Sequence, residues 1–291
     1  MGFDEHGARL VADLVRHHLL LASTATTRDP DDPATVEAIV STIADPEELA
    51  LLTALTEADA RATAPKAWSS WRSHLVLDLA ERARQRLGDG ADATEQAHPD
   101  VEVPREARGG GLAVSVEPTH DGARVTFVAR DRVGLLADLA ATFAFQRIPV
   151  RACRAWPQVE YAVSVWDVGE RHVDAGTLRN RFEAIVDGRL DAPSRLRVEP
   201  PVGLAPSVRV RPEVSTRSTV LEVRTTDRPG IVYLVCAALA RLDVAVRSAH
   251  VGTLGPQAVD VFYLQEAHAG ALTDRRAAEA AHAVRDALGA R

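Results

Sequence analysis

The stretch Thr225-Thr226-Asp227-Arg228-Pro229-Gly230-Ile231 occurs a second time in the chain, in altered form, as Ala129-Arg130-Asp131-Arg132-Val133-Gly134-Leu135. Each copy follows a run of β-branched residues and precedes an apolar helical pattern, so each predicts a strand, a tight turn and the start of a helix. The offset between Asp131 and Asp227 is 227 − 131 = 96 residues. This spacing indicates a duplicated domain, because the units of a solenoid are much shorter.

The composition is that of an ordinary globular protein. The chain has 291 residues, of which 46% are hydrophobic and 26% charged, and this length suggests two or three domains. A net charge of −7 argues against a nucleic-acid-binding surface. The sequence has neither a basic-then-apolar leader nor an apolar run of membrane-spanning length, which favours a cytoplasmic location and no membrane partner. Cys153 and Cys236 fall one in each repeat without a metal-type spacing, so we expect buried thiols.

Residues 1–87 show only helical patterns and are expected to form an all-helical region, the C-terminal half of a domain. Three of these patterns lie at 35–43, 46–62 and 65–87. Residues 88–111 are polar, rich in Gly, Asp and Glu and without a period, which is typical of a linker. A further helical pattern precedes these three, in which apolar residues and histidines recur at helical spacings at Leu10, Leu14, His17, His18 and Leu21.

Each copy of the repeated turn lies in a pattern that predicts a ferredoxin-like βαββαβ unit. The first unit is expected at 112–200, with a closing strand at 195–199. The second is expected at 207–291, and its pattern ends without a closing strand. We expect Val208-Arg209-Val210 to fill that edge by pairing antiparallel with 219–224. The predicted fold class is α+β, an all-helical region followed by two such units.

The repeated turn carries chemistry that suits a small anionic group. Asp227 is expected to cap the following helix, and Pro229 is tolerated in its first turn, where the N–H that proline lacks would be unpaired. Gly230 removes the side chain where the backbone comes close to another group. The remaining N–H groups at the helix start then form a site for a carboxylate. A well-capped turn without a ligand is the simpler alternative, but two occurrences in matching places favour a function.

The two units resemble ACT domains, small βαββαβ modules that bind amino acids and regulate metabolic enzymes. The second unit is similar, over three segments, to the last ACT domain of the bifunctional PII uridylyltransferase/uridylyl-removing enzymes. The first unit matches more loosely, since Val133 replaces the usual proline and no Thr-x-Gly follows its second strand. The three segments are Asp227-Arg228-Pro229-Gly230-Ile231-Val232-Tyr233, Arg247-Ser248-Ala249-His250-Val251-Gly252-Thr253-Leu254-Gly255 and Val259-Asp260-Val261-Phe262-Tyr263.

The resemblance implies that glutamine or another small amino acid binds at the loop between the first strand and the first helix of a unit. Glutamine would bias the parent enzyme towards removing UMP from PII, its protein partner in nitrogen regulation. The resemblance also implies pairing of ACT units, including a homodimer through them. The residues that match the ligand site are Asp131, Arg132, Gly134, Leu135, Asp227, Arg228, Gly230, Ile231, Thr253 and Gly255.

The helical region resembles the back half of the family's HD hydrolase domain, over the segments 14–21, 29–33 and 55–63. His17, His18 and Asp59 match the later part of the pattern by which such domains hold Mg or another divalent metal. Consecutive helical residues point about 100° apart, so the two histidines are not equivalent ligands; alternatively, one packs inside and the other is solvated. The family's His-Asp doublet has no counterpart, because the sequence His120-Asp121 lies in a predicted hairpin turn.

The chain also lacks a counterpart of the family's nucleotidyltransferase domain. We therefore expect no intact catalytic residue set, no metal bound by this chain, and neither uridylylation nor deuridylylation. The expected function is that of a glutamine-sensing regulatory segment. Two alternatives stay open. One is residual hydrolase activity with the missing metal ligands supplied by another chain, and the other is a free-standing ACT tandem that binds another amino acid or only mediates pairing.

Overall fold

The computed structural model divides the chain into two compact units, Met1–Ala97 and His98–Arg291. The residues that the structure describes are 2, 4–28, 32–63, 67–68, 70–89, 100–196, 205–212, 214–251, 253–254, 257–266 and 270–289.

The first unit is helical in all of its described regular elements, as its patterns predict. Asp4 and Asp32 cap two of the helices by accepting hydrogen bonds from the backbone N–H of Gly7 and Ala34. The helices are α1 (Glu5–His17), α2 (Leu20–Thr27), α3 (Pro33–Val40), α4 (Pro46–Thr63) and α5 (Ser70–Asp89). Their buried side chains form one core that includes Leu21, Ile39, Ile43, Leu52, Leu75 and Leu79.

The second unit combines helices with a single antiparallel sheet. Its helices are α6 (Arg105–Arg108), α7 (Leu135–Phe145), α8 (Ala175–Val186), α9 (Ala192–Arg195), α10 (Ile231–Ala240) and α11 (Asp274–Ala287). Its strands are β1 (Ala113–Pro118), β2 (Ala123–Arg130), β3 (Val150–Gln158), β4 (Tyr161–Val168), β5 (Ser207–Val210), β6 (Thr219–Thr226), β7 (Val244–His250), β8 (Thr253–Leu254) and β9 (Gln257–Glu266).

The two repeats share this sheet, whose main path runs β1-β2-β4-β3-β7-β9-β6-β5, with β8 paired to β9. Strands β3 and β7 join the repeats through three antiparallel residue pairs, Ala152 with His250, Cys153 with Ala249, and Arg154 with Ser248. Past the first of these pairs, the backbone N–H of Val251 also donates a hydrogen bond to the carbonyl oxygen of Arg151 at 2.8 Å.

Within the described residues, each repeat has the order ββαββα rather than the predicted βαββαβ. As predicted, β5 fills the edge of the second repeat by pairing antiparallel with β6, Val208 lying opposite Val223. The same arrangement holds in the first repeat, where β1 occupies the edge beside β2. The expected closing strand at 195–199 was wrong for this edge, because β2 already has β1 and β4 as its two neighbours. Arg195 ends α9, and 197–199 lie outside the described residues.

Helices cover one face of the sheet. Helix α8 packs on α7, α7 on α10, and α10 on α11, and a single core between helices and sheet takes residues from both repeats, such as Phe127 and Leu239. The opposite face of the first repeat buries Trp156 and Val163 against α6 and Val101. This last contact involves residues 100–111, part of the expected linker, and Gln158 anchors it through two hydrogen bonds with the backbone of Val101.

Candidate functional site

Each repeated turn ends in a glycine that starts a helix. Gly134 and Gly230 are the N-cap residues of α7 and α10, with φ angles of 84° and 91°, a left-handed conformation that side chains rarely adopt. In the part of the chain that the structure describes, neither helix has a side-chain cap, whereas Asp174 caps α8 and Thr273 caps α11.

The expected cap by Asp227 and the expected place of Pro229 in the first helical turn are corrected by this geometry. Helix α10 begins at Ile231, so Asp227 lies three residues before the N-cap and Pro229 directly before it. A capping side chain must belong to the N-cap residue to reach the next amides, and here that residue is glycine. In α7 the backbone N–H of Leu135 donates to the carbonyl oxygen of Arg132 at 3.2 Å. Among the described residues, no cap side chain binds the first-turn amides of either helix.

The first turn borders a cavity of about 290 Å³, which we call the first-elbow cavity. One side of it is formed by Asp131, Arg132, Gly134 and Leu135 from the first repeat. The other side comes from the second repeat, where α10 ends and β7 begins, and includes Ala240, Asp243 and Arg247.

The second turn borders a cavity of about 280 Å³, the second-elbow cavity. Asp227, Arg228, Gly230 and Ile231 form one side of it. The other side comes from the first repeat, where α7 ends and β3 begins, and includes Ala144 and Arg147. Asp260 of β9 also lines the cavity, so both repeats contribute to each of the two sites.

The two cavities are equivalent by the 96-residue offset. A Cβ placed on Gly134 would lie 4.0 Å from the Cβ of Ala240, and one placed on Gly230 would lie 3.9 Å from that of Ala144. Thus the start of each helix faces the end of the other, and α7 and α10 run antiparallel. Arg147 and Asp243, also one offset apart, share a left-handed backbone with φ of 54° and 56°. The repeats are therefore related by an approximate two-fold axis.

The two arginines of the first-elbow cavity interact with neighbouring side chains. Arg132 forms an ion pair with Asp138, and the Arg132 side chain is 41% exposed. Burial lowers the pKa of Arg247, and the neighbouring charge of Asp131 opposes that shift. Arg247 also donates a hydrogen bond from Nε to Oε1 of Gln265 at 3.1 Å.

In the second-elbow cavity, burial lowers the pKa of Arg228 as well. Its Nη2 lies 3.5 Å from the backbone oxygen of Leu288, so the side chain reaches towards the end of α11. The cavity wall also contains Asp260, whose side chain is fully buried. The second-elbow cavity thus combines cationic side chains with a carboxylate.

The structure brings together eight of the ten residues that the sequence predicts for the ligand site, four in each elbow cavity. Of the others, Thr253 begins β8 and pairs with Ala258, and Gly255 lies outside the described residues. Sequence reasoning missed Asp260, Arg147 and Ser164. The only available signal was the charge of Asp260 inside an apolar strand.

The predicted metal ligands lie in the helical unit. His17 ends α1, His18 follows it with Nδ1 2.8 Å from the backbone oxygen of Val15, and Asp59 is an exposed residue of α4. Among the described residues, no group of three or more His, Cys, Asp or Glu side chains could hold a metal ion. Within the described residues, His17, His18 and Asp59 therefore do not belong to a group of donors that fits Mg or another divalent metal.

No family model matches the chain. The chain is similar to the bifunctional uridylyltransferase/uridylyl-removing enzyme of Streptomyces coelicolor, with 36% identity over 350 aligned positions that include 99% of the chain. Enzymes of the same name from Caulobacter vibrioides and Mycobacterium tuberculosis are 30% and 31% identical over 95% and 90% of the chain. The chain spans only 42%, 36% and 36% of the lengths of these three relatives.

Among solved structures, aspartate kinase from Synechocystis matches 54% of the chain and 25% of its own chain, with 14% identity and a TM-score of 0.31. A TM-score this low supports no conclusion about fold or function. None of the described helices combines the length and apolar character needed to cross a membrane.

Fold and cavities together define a protein of the mixed α/β class, in which two related repeats share one antiparallel sheet and enclose two ligand-sized cavities. By sequence, the chain corresponds to a C-terminal part of the bifunctional uridylyltransferase/uridylyl-removing enzymes.

Proposed function

We propose that this chain is the regulatory segment of a uridylyltransferase/uridylyl-removing enzyme, in which two ACT-type repeats sense glutamine and so control the uridylylation state of PII. The observation that carries the proposal is the pair of cavities at Gly134 and Gly230, each of which meets a helix start without a side-chain cap. An amino acid carries the carboxylate that such a helix start attracts.

The position of the cavities supports a regulatory role rather than simple storage of a ligand. Each cavity is formed by a helix start from one repeat and by a helix end and a strand start from the other. A ligand there contacts both repeats, so its affinity depends on how the repeats are arranged. Such a difference in affinity is what allows a ligand to shift a conformational equilibrium.

The complete enzyme would transmit this shift to its catalytic domains, with PII as the protein substrate and UMP as the group added or removed. We further propose that the repeats support pairing of two chains. The cytoplasm, where glutamine and PII meet, is the compartment that this function requires.

Isothermal titration of L-glutamine into the full 291-residue chain tests the proposal, together with the variants Ala240→Leu and Ala144→Leu. These two alanines line the first-elbow and second-elbow cavities beside Gly134 and Gly230, so they form a matched pair that fills one cavity at a time. We expect heat of binding and a raised unfolding temperature with the unmodified chain, and loss of both in at least one variant. No binding at millimolar glutamine, or equal binding by all three proteins, would contradict the proposal.

A further inference from the structure

The end of strand β3 forms one wall of the first-elbow cavity, which residues 155–157 line. Side chains of a strand point alternately to the two faces of the sheet. Ala155 and Pro157 are therefore on the face of the core residue Cys153, which the helices cover, and Gln158 is on the other face. A single strand thus separates the cavity from the residues that pack on that other face.

Residues 100–111, which we call the connecting segment, pack on this second face. The Trp156 side chain is 7% exposed and lies in a cluster with Ala107 and Val101 of the segment. Gln158 binds the segment with both polar atoms of its amide. Its Oε1 accepts a hydrogen bond from the backbone N–H of Val101 at 2.9 Å, and its Nε2 donates one to the carbonyl oxygen of Val101 at 2.6 Å.

The turn between β3 and β4 is also bonded to the first elbow. The backbone N–H of Asp131, a residue of the cavity, donates a hydrogen bond to the carbonyl oxygen of Glu160 at 3.0 Å. Val159 is 99% exposed and has a φ of 57°, a left-handed conformation that is strained for a β-branched residue and is held by its surroundings. The hairpin is therefore bonded to the elbow at Glu160 and to the connecting segment at Gln158.

The side chains that bind the segment belong to the first repeat alone. The 96-residue offset applies at this place, because Gln158 pairs with Tyr161 as Leu254 pairs with Gln257. The equivalents of Trp156 and Gln158 are Gly252 and Leu254, which carry neither an aromatic ring nor an amide side chain. The second repeat thus lacks the two side chains that bind the segment in the first.

We propose that the β3–β4 hairpin couples occupancy of the first-elbow cavity to docking of the connecting segment, with Gln158 as the positioning residue. A ligand that contacts Asp131 and the cavity wall favours the hairpin position in which Gln158 binds Val101. Ligand binding and docking of the segment then stabilise each other, by the reciprocity of linked equilibria.

The connecting segment gives this coupling a covalent path towards the helical unit. The last residue of α5 is Asp89, and Val101 follows it by 101 − 89 = 12 residues. For its ligand, the inference rests on the proposed binding of glutamine, and it adds the route by which binding acts on the rest of the chain. The link between the elbow and the segment can be measured without a ligand.

Hydrogen exchange of the full 291-residue chain without ligand tests that link. Gln158→Ala removes both bonds to Val101, and Glu102→Ala, a change at an exposed position of the segment, is the matched control. We expect Gln158→Ala to speed exchange in 104–111 and in 130–135 by about fivefold or more, the effect of losing one hydrogen bond. The control should change neither. Unchanged exchange in 130–135 would overturn the inference, whether or not the segment itself exchanges faster.

A second measurement adds saturating L-glutamine to the unmodified chain. We expect the ligand to slow exchange in 104–111, where α6 and the following turn are hydrogen-bonded, by about fivefold or more, and to lose most of this effect in Gln158→Ala. Binding seen by isothermal titration without slower exchange in 104–111 overturns the coupling and leaves the proposed function intact. If titration detects no binding, the proposed function fails, and exchange of 130–135 in Gln158→Ala decides whether elbow and segment are linked.

Discussion

At the scale of single residues, Cys153 and Cys236 show how burial controls chemistry. Both thiols are free, and both lie buried in the core that the two repeats share, as expected from the sequence, where neither has a metal-type spacing. Burial raises the pKa of Cys153 from its ordinary value near 9 to about 12, and raises that of Cys236 well above the ordinary value. The folded protein therefore holds both groups as neutral thiols at physiological pH.

These pKa shifts predict slow modification and a loss of stability at high pH. In the native chain at pH 8, both thiols should react with a disulfide reagent far more slowly than in urea, because the thiolate is the reactive form. The unfolded chain ionises near pH 9 while the folded chain does not, so stability should fall as the pH rises above about 9. Urea midpoints at pH 7.5 and 10 measure this fall.

The double variant Cys153→Ala/Cys236→Ala is the control for the pH effect. It should lose less stability between the two pH values than the unmodified chain does, since it lacks the two ionising groups. Rapid modification of the native thiols, or an identical fall in the variant, would contradict the prediction.

The sequence predicted the glycines of the two turns as ligand-site residues, but it did not predict that Asp260 lines a cavity. Strand β9 lies between β7 and β6 in the sheet. Its side chains point alternately to the two faces of the sheet, and apolar residues occur in both the odd-numbered and the even-numbered positions. Alternation therefore gives no indication of which set faces the helices. Only the pairing of Asp260 with Val223 shows that the carboxylate lies on the core side.

At the scale of helices, the two aspartate caps of the first unit allow a direct comparison. Asp32 caps α3, which buries Thr35 and Ile39, and Asp32 is itself 1% exposed. Asp4 caps α1, which buries none of its residues. A cap should matter more in a helix that is part of the core, because there its loss is transmitted to the packing.

We predict that Asp32→Ala lowers the free energy of unfolding of the helical unit by about 1–2 kcal/mol. The matched variant Asp4→Ala should cost less, because α1 has no fully buried residue and contacts the core only through partly buried side chains such as Leu14. Hydrogen exchange of peptides from α3 and α1, measured by mass spectrometry, reports on each helix locally. Equal effects of the two variants on the stability of the unit would show that α1 is as important to its core as α3.

At the scale of the whole second unit, the repeats share one sheet and one core, so we expect them to unfold together. Leu239 of α10 is 0% exposed, and Leu239→Ala should cost about 2–5 kcal/mol. In Leu239→Ala, the slowest-exchanging amides of the first repeat, in β2 and α7, should lose as much protection from hydrogen exchange as the slowest-exchanging amides of the second repeat. Val186→Ala, at an exposed position of α8, is the control and should change little.

Native-state hydrogen exchange measures this coupling. If Leu239→Ala lowered protection only in the second repeat, the two repeats would be separate folding units joined at β3 and β7. That result would also count against the proposed regulatory role, because ligand binding would then have less effect on how the two repeats are arranged.

The sequence by itself determined the local elements and their duplication. Local structure depends on residues that are close together along the chain, and three local patterns carried the prediction: β-branched runs, a glycine at each turn and an apolar helical pattern. They predicted both strand–turn–helix units and the edge strand β5. Eight of the residues predicted for the ligand site line the two cavities. Only the tertiary structure decided that β3 joins β7, that each helix start faces the end of the other helix, and that Asp260 lines a cavity. These features depend on contacts between residues about a hundred positions apart, and no local pattern specifies which sheet edges meet.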